Sequence, residues 1–280
     1  MKRLSQFIIF IIVLPLLWTL RLVPLRVSER MGRGIMRFLG PRISTQKTVL
    51  NNISIVFPNN TAEENIALSK KLWVHVGINL SHALQLDNED LIHNTKITGI
   101  ENIQKEYDNG NGVILISAHI GVWDIVAINV KHQIAPCDVV YRPIENPFLN
   151  TWIEKFRLKV YNKLIVKSPS AGRAILRSLK QGNIIPMLSD QKMWGHTKVR
   201  FFGKDAECAD GAVRMGYKTS TPVIPVRSKY TPQGYELVFE PAMILTGDLM
   251  QDTLQMNAIF ERWVLETPEQ YYNFTHKKWD

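Results

Sequence analysis

The stretch that most constrains this chain is GVILISAHIGVWDIV, residues 112–126. Its first half, Val113, Ile114, Leu115 and Ile116, is apolar and mostly β-branched, with no alternating polar residue. As a strand, such a run has no face to offer to solvent. It must be covered on both sides, the situation of a parallel sheet held between helices. The run ends in Ser117, Ala118 and His119; Gly121 then permits a tight turn, and residues 122–130 read as the first turns of a helix. His119 is thereby expected at the carboxyl end of a strand, where open α/β sheets gather ligands and reacting groups.

The rest of the chain repeats the alternation. Strands are expected at 96–100, 138–141, 164–166, 183–188, 223–226 and 235–239. Helices are expected at 62–86, 101–107, 146–160, 171–180, 211–218 and 249–266, with a short turn-bounded segment at 51–58. The fold class that follows is α/β, a central and mostly parallel sheet flanked by helices.

Asp124 lies five residues after His119. With His119 in the turn and Asp124 in the first helical turn, the carboxylate can fold back to the imidazole. It would then fix the ring's tautomer and leave the second ring nitrogen free to take a proton. Ser117 belongs to the strand and lacks the G-x-S-x-G surroundings of a nucleophile elbow. A histidine and an aspartate without a protein nucleophile suggest a base that activates a hydroxyl of the substrate. Two more polar sets are expected at strand ends, Tyr141-Arg142 and Asp190-Gln191. Converging on one edge, they would add a cation for phosphate or an oxyanion and a polar anchor. Arg157 lies on the helix after Arg142.

Charge is distributed unevenly along the chain. Residues 1–47 carry nine basic residues and one acid, while the remaining 233 carry 25 basic and 24 acidic ones. Basicity therefore belongs to the amino-terminal arm, beside a charge-free apolar run at 4–20. At 1.5 Å per residue that run spans ~25 Å as a helix, close to the ~30 Å hydrocarbon core. This pattern favours a membrane surface over nucleic acid, whose binders usually spread lysines and arginines over a folded face with aromatics between them. The expected division is a hydrophobic membrane anchor at 1–23, a basic amphipathic interfacial segment at 24–47 and a catalytic domain at 48–280. In the second segment Arg26, Arg30, Arg33 and Arg37 share one face, opposite Met31, Ile35 and Phe38. Cys137 and Cys208 show no metal or disulfide spacing, and His75 and His82 lack a third ligand type. No metal and no cofactor is expected.

The block AHIGVWD resembles the H-x-x-x-x-D/E motif of the glycerolipid and lipid A acyltransferase superfamily. VVYRPIENPFLN, SDQKMW, VRFFGKDA and TPEQYYNFTHKKW resemble, in order, further blocks of the late acyltransferases of lipid A biosynthesis, of the lauroyl and myristoyl type. Val122 and Asp124 stand where many relatives have Asn and Glu. The resemblance implies a membrane enzyme on the cytoplasmic face of a bacterial inner membrane. It would move an acyl chain from an acyl carrier protein thioester to a hydroxyl of a lipid A precursor. It further implies His119 as base, Asp124 as its orienting carboxylate, and Arg142 and Asp190 lining the acceptor or oxyanion region, with Arg157 and Gln191 beside them. An acyltransferase for a lysophospholipid, an aminolipid or another glycolipid stays open at this level, as does a non-catalytic lipid-binding protein. Trp123, Phe148 and Trp152 are candidates for an acyl-chain trough.

Overall fold

The structure is a computed structural model that describes residues 2–276, so the last part of the TPEQYYNFTHKKW block lies outside the described residues. The amino-terminal third is helical: α1 (Lys2–Leu22), α2 (Leu25–Leu39), α3 (Thr45–Val56), α4 (Ala62–Leu84) and the short α5 (Asp90–His93). Then follow β1 (Thr95–Thr98), α6 (Glu101–Asp108), β2 (Val113–Ser117), α7 (Ile125–Gln133), β3 (Asp138–Tyr141), α8 (Pro147–Val160), β4 (Lys163–Val166), α9 (Ala171–Lys180) and β5 (Ile184–Leu188). The chain ends with β6 (Lys198–Phe201), β7 (Lys204–Glu207), α10 (Gly211–Thr219), β8 (Val223–Thr231), β9 (Gly234–Phe239), α11 (Leu249–Glu266) and two 3-10 turns, Pro268–Gln270 and Tyr272–Thr275.

The main sheet has the order β1-β9-β8-β2-β5 and is parallel except between β8 and β9. Every residue of β2 is buried. Ile114 and Ile116 enter one core with α9, α10 and α11, and Val113 and Leu115 enter a second with α6 and α7, so successive side chains feed opposite faces. This double covering explains the uninterrupted apolar run. Burying each of these side chains contributes ~1.5–3 kcal/mol relative to leaving it exposed.

Two local readings are corrected. Residues 45–56, partly read as a turn-bounded segment, form a helix whose buried residues Val49, Asn52, Ile53 and Val56 keep helical spacing. Asn52 disguised the pattern: it is buried because its side-chain amide donates to the carbonyls of Phe274 and His276, at 2.9 and 2.7 Å. The helix after His119 begins at Ile125 rather than at residue 122. The Gly121 N–H is bonded to Gln270 O (3.2 Å) and the Val122 N–H to Ser228 Oγ (2.9 Å), which fixes those residues in a turn. VRFFGKDA becomes the β6–β7 hairpin. Its Phe202-Gly203 loop has φ of 49° and 69°, the positive pair that a type I′ turn requires.

The amino-terminal arm packs on the domain. In α2 the buried residues are Leu25, Ser28, Glu29 and Gly32, a row that includes the small Ser28 and Gly32. Met31, Ile35 and Phe38 stay partly or fully exposed. The row lets α2 approach α4 closely: a Cβ on Gly32 would lie 2.2 Å from Gly77 O, and one on Gly77 2.1 Å from Gly32 O. Within α1, residues Arg3–Leu22 are long and apolar enough to cross a membrane. That helix also runs beside α8, with Phe7 on Phe148 (5.2 Å between ring centroids) and Trp18 on Trp152 (5.8 Å). Phe148 and Trp152 are thus engaged with α1.

Candidate active site

Parallel register creates the site. Ser117 of β2 lies opposite Leu188 of β5, and Ser189 N–H donates to Ser117 O at 2.9 Å. His119 and Asp190, each two residues further on, therefore leave the sheet side by side. His119 Nδ1 lies 2.7 Å from Asp190 Oδ1, and the His119 backbone N–H donates to Asp190 Oδ2 at 2.9 Å. Asn273 donates to the same Oδ2 at 2.6 Å, and the buried Tyr271 hydroxyl is hydrogen-bonded to this carboxylate as well. Asp190 is completely buried, whereas the His119 side chain keeps 13% of its surface exposed. A buried carboxylate needs several donors to stay ionised, and this one has them from two separate segments, at 119 and at 271–273. Burial, and then the charge of Asp190, pushes the Tyr271 hydroxyl well above its ordinary pKa, so it stays a donor.

The pair expected between His119 and Asp124 is not formed; this is a correction. The carboxylate on the imidazole is Asp190, while Asp124 Oδ1 accepts from the Tyr161 hydroxyl at 2.9 Å. Two causes act together. Asp124 occupies the cap position before α7, and its carboxylate is engaged by Tyr161 at the end of α8. Burial and the charge of Asp124 raise the Tyr161 pKa well above 10, which keeps that hydrogen bond intact.

Arg142 is exposed and makes no hydrogen bond or ion pair with a described residue. Arg157 lies over the Tyr141 ring, 5.6 Å from its centroid, and is close enough to act on the charge of Tyr161. Gln191 follows Asp190, is half-buried, and has no hydrogen bond to a described residue. Structure thus brings His119 and Asp190 together and sets Arg142, Arg157 and Asp124 along the neighbouring β3–α8 side. Trp123 and Tyr272 wall the imidazole, with ring centroids 5.3 and 6.3 Å away. Ser117 is not a free nucleophile, since its hydroxyl donates to Val226 O at 2.7 Å.

Reading the sequence did not single out the residues that brace this turn. Ile120 pairs with Tyr271 in an antiparallel bridge, and Tyr272 N–H donates to His119 O at 2.8 Å. His75, on α4, holds Gly121 O at 3.0 Å. Gly121 itself has φ +60°, and a Cβ there would lie 2.1 Å from Ser228 O. The available signal was the TPEQYYNF block, whose position at the end of the chain gave no hint that it closes over His119.

Among the amides after Gly121, those of Trp123 and Asp124 make no hydrogen bond to a described residue. An imidazole fixed by a buried carboxylate, beside backbone amides without a partner among the described residues, is an arrangement in which a ring nitrogen can take a proton and amides can meet an oxyanion. The chain belongs to the bacterial lipid A biosynthesis acyltransferases, whose family model matches residues 1–280. It is 23% identical over 260 residues to a lipid A biosynthesis acyltransferase of Haemophilus influenzae, covering 90% of this chain and 81% of that protein. It is 22% identical over 268 residues to a lipid A biosynthesis palmitoleoyltransferase of Escherichia coli, covering 92% and 87%.

Proposed function

We propose that this chain moves a fatty acyl group from an acyl carrier protein thioester to a hydroxyl of a lipid A precursor, at the cytoplasmic face of a bacterial inner membrane. Membership of the family supports acyl transfer in lipid A biosynthesis. The observation that carries the mechanism is the 2.7 Å contact between His119 Nδ1 and the buried Asp190. With Nδ1–H donated to Asp190, the lone pair of Nε2 is left for the acceptor hydroxyl. As the acceptor oxygen attacks the thioester carbonyl carbon, its proton passes to Nε2. The tetrahedral oxyanion is met by the Trp123 and Asp124 amides or by Arg142, and collapse breaks the C–S bond and releases the thiolate. The transfer is direct and uses no acyl-enzyme on Ser117. In this reading Asp124 acts at one remove, holding Tyr161 at the end of α8.

Membrane attachment is supported by the exposed apolar surface of α1, including Leu4, Ile8, Ile12 and Leu22, and by the basic residues that follow it. The deciding experiment incubates the full chain in membranes with acyl carrier protein thioester or coenzyme A thioester and a lipid A precursor. Product is then read by mass spectrometry, alongside lipid A from cells with and without the gene. An acyl chain added to the precursor from the carrier-protein donor is the expected result. Transfer only to lysophospholipids, only from coenzyme A, or to nothing at all would each reject the corresponding part.

A further inference from the structure

A cavity of about 400 Å³ opens beside α2, away from His119 but beyond the same carboxyl edge of the sheet, since β8 runs parallel to β2 and continues past it. Its size falls within the ~300–1,000 Å³ range of small-molecule sites. One wall is the arginine flank of α2, Arg26, Arg30 and Arg33; the other is Tyr230 and Tyr235 with the β8–β9 turn. Arg26 and Arg30 are exposed, and neither makes a hydrogen bond or an ion pair with a described residue. Four residues apart on a helix, two like charges repel by ~0.2–0.5 kcal/mol, a cost that an anion bound between them would reverse.

We propose that this cavity holds a phosphate group of the glycolipid acceptor, an inference that rests on the acyl-transfer reading above. Two acids line the cavity, Glu29 and Asp90. Glu29 Oε1 is taken by His82 Nε2 (2.7 Å) and the Tyr235 hydroxyl (3.1 Å), and Oε2 by the Tyr230 hydroxyl (3.0 Å), with Arg33 at 3.7 Å. Burial works to raise its pKa, but His82 and the two tyrosines outweigh it, so Glu29 is a spent carboxylate. Asp90 is the remaining acid, exposed at the start of α5. Arg33 is fixed by the Tyr230 hydroxyl at 2.5 Å, which leaves the forks of Arg26 and Arg30 for the ligand. Guanidinium forks match phosphate oxygens in pairs, better than they match a neutral sugar or a carboxamide.

Two features join the cavity to the reaction. The backbone of Tyr230 is gripped at both its N–H and its carbonyl by the Gln270 side chain (2.9 Å each), and Gln270 O accepts the Gly121 N–H at 3.2 Å, two residues from His119. In addition, α2 starts three residues after the apolar α1 ends, so the arginines lie at headgroup depth once α1 is in the bilayer. A phosphate caught there enters from the lipid phase on the side of the sheet where His119 waits.

The test uses the full chain in phosphatidylcholine nanodiscs and the double variant R26Q/R30Q, whose exposed side chains leave the core intact. Acyl transfer is measured to a phosphorylated disaccharide lipid and to the same lipid stripped of phosphate. We expect KM for the phosphorylated acceptor to rise about 10- to 100-fold with kcat within about two-fold, as losing charge-assisted hydrogen bonds implies. For the stripped acceptor, parent and variant should agree within about two-fold. Equal KM values for parent and variant, or an equal loss on both acceptors, would overturn the proposal. So would a loss that appears only when phosphatidylglycerol is added, because the arginines would then serve bulk anionic lipid. Binding of the phosphorylated lipid to H119A, with and without the arginine changes, separates the two readings. Arginine-dependent binding without turnover in the parent would sink acyl transfer and keep the phosphate site.

Discussion

The turn around His119 and the arginine flank of α2 are both charged, yet they are built in opposite ways. At the turn, residues from 119, 190 and 270–273 interlock, Asp190 is fully buried, and its oxygens are filled by donors. On α2 the charges recur along a single helix, and Arg26 and Arg30 lie exposed without a partner among the described residues. A group held by several bonds has its geometry settled before substrate arrives, which suits chemistry that depends on angle and protonation. An unpaired guanidinium on a long side chain reaches for its ligand, which suits capture. Changes at the turn should therefore act on kcat or on folding, and changes on α2 on KM.

The strongest break is His119→Ala, which removes the base. We expect kcat to fall about 10³-fold or more while the protein stays folded and membrane-bound, because the ring is partly exposed; near-parent turnover would reject the assignment. Next is Asp190→Asn, expected to lower kcat about 10²-fold, while Asp124→Asn loses less than about ten-fold. The reverse order of these two variants would return the orienting role to Asp124. Gly121→Ala tests the turn as structure, with a Cβ pressed to 2.1 Å from Ser228 O at φ +60°. We expect a loss of about 2–4 kcal/mol in denaturant unfolding, and parental stability would mean that the turn relaxes.

A subtler effect concerns pH. Burial holds His75 at a pKa of about 4, against 6.5 when unfolded. Below pH 6.5 the unfolded chain takes up a proton that the folded ring refuses, so stability is complete above that pH and falls between 6.5 and 4. The loss approaches about 3 kcal/mol. Unfolding free energies measured across this window should show that slope in the parent, and His75→Gln should flatten it; an unchanged slope would place the sensitivity elsewhere. The smallest expected effect is Arg26→Gln alone, about a three- to five-fold rise in KM for a phosphorylated acceptor with kcat held.

Much of the fold was legible because periodicity is local. The apolar run of β2 and the 3.6-residue spacing of α9, α10 and α11 each announce themselves within a dozen residues. The placement of His119 and Asp190 at strand ends could be read in the same way. Their contact could not, since it depends on β2 and β5 being neighbours in the Ser117–Leu188 register, and that choice is made across 71 residues. A rule of nearness in sequence pointed to Asp124 instead, and the start of α7 and Tyr161 override it. Asn52 and Asn273 were illegible for a related reason: buried amides are recognisable only by distant partners.

The touching glycines Gly32 and Gly77 bear on how the protein can be handled at the bench. A version shortened to begin at residue 48 would bare a furrow along α4 shaped for another backbone, and would uncover Leu84 where Leu17 and Leu20 had covered it. Trimming the arm to gain solubility would trade one sticky surface for a second, so preparations should keep residues 1–47 and shield them with detergent or lipid.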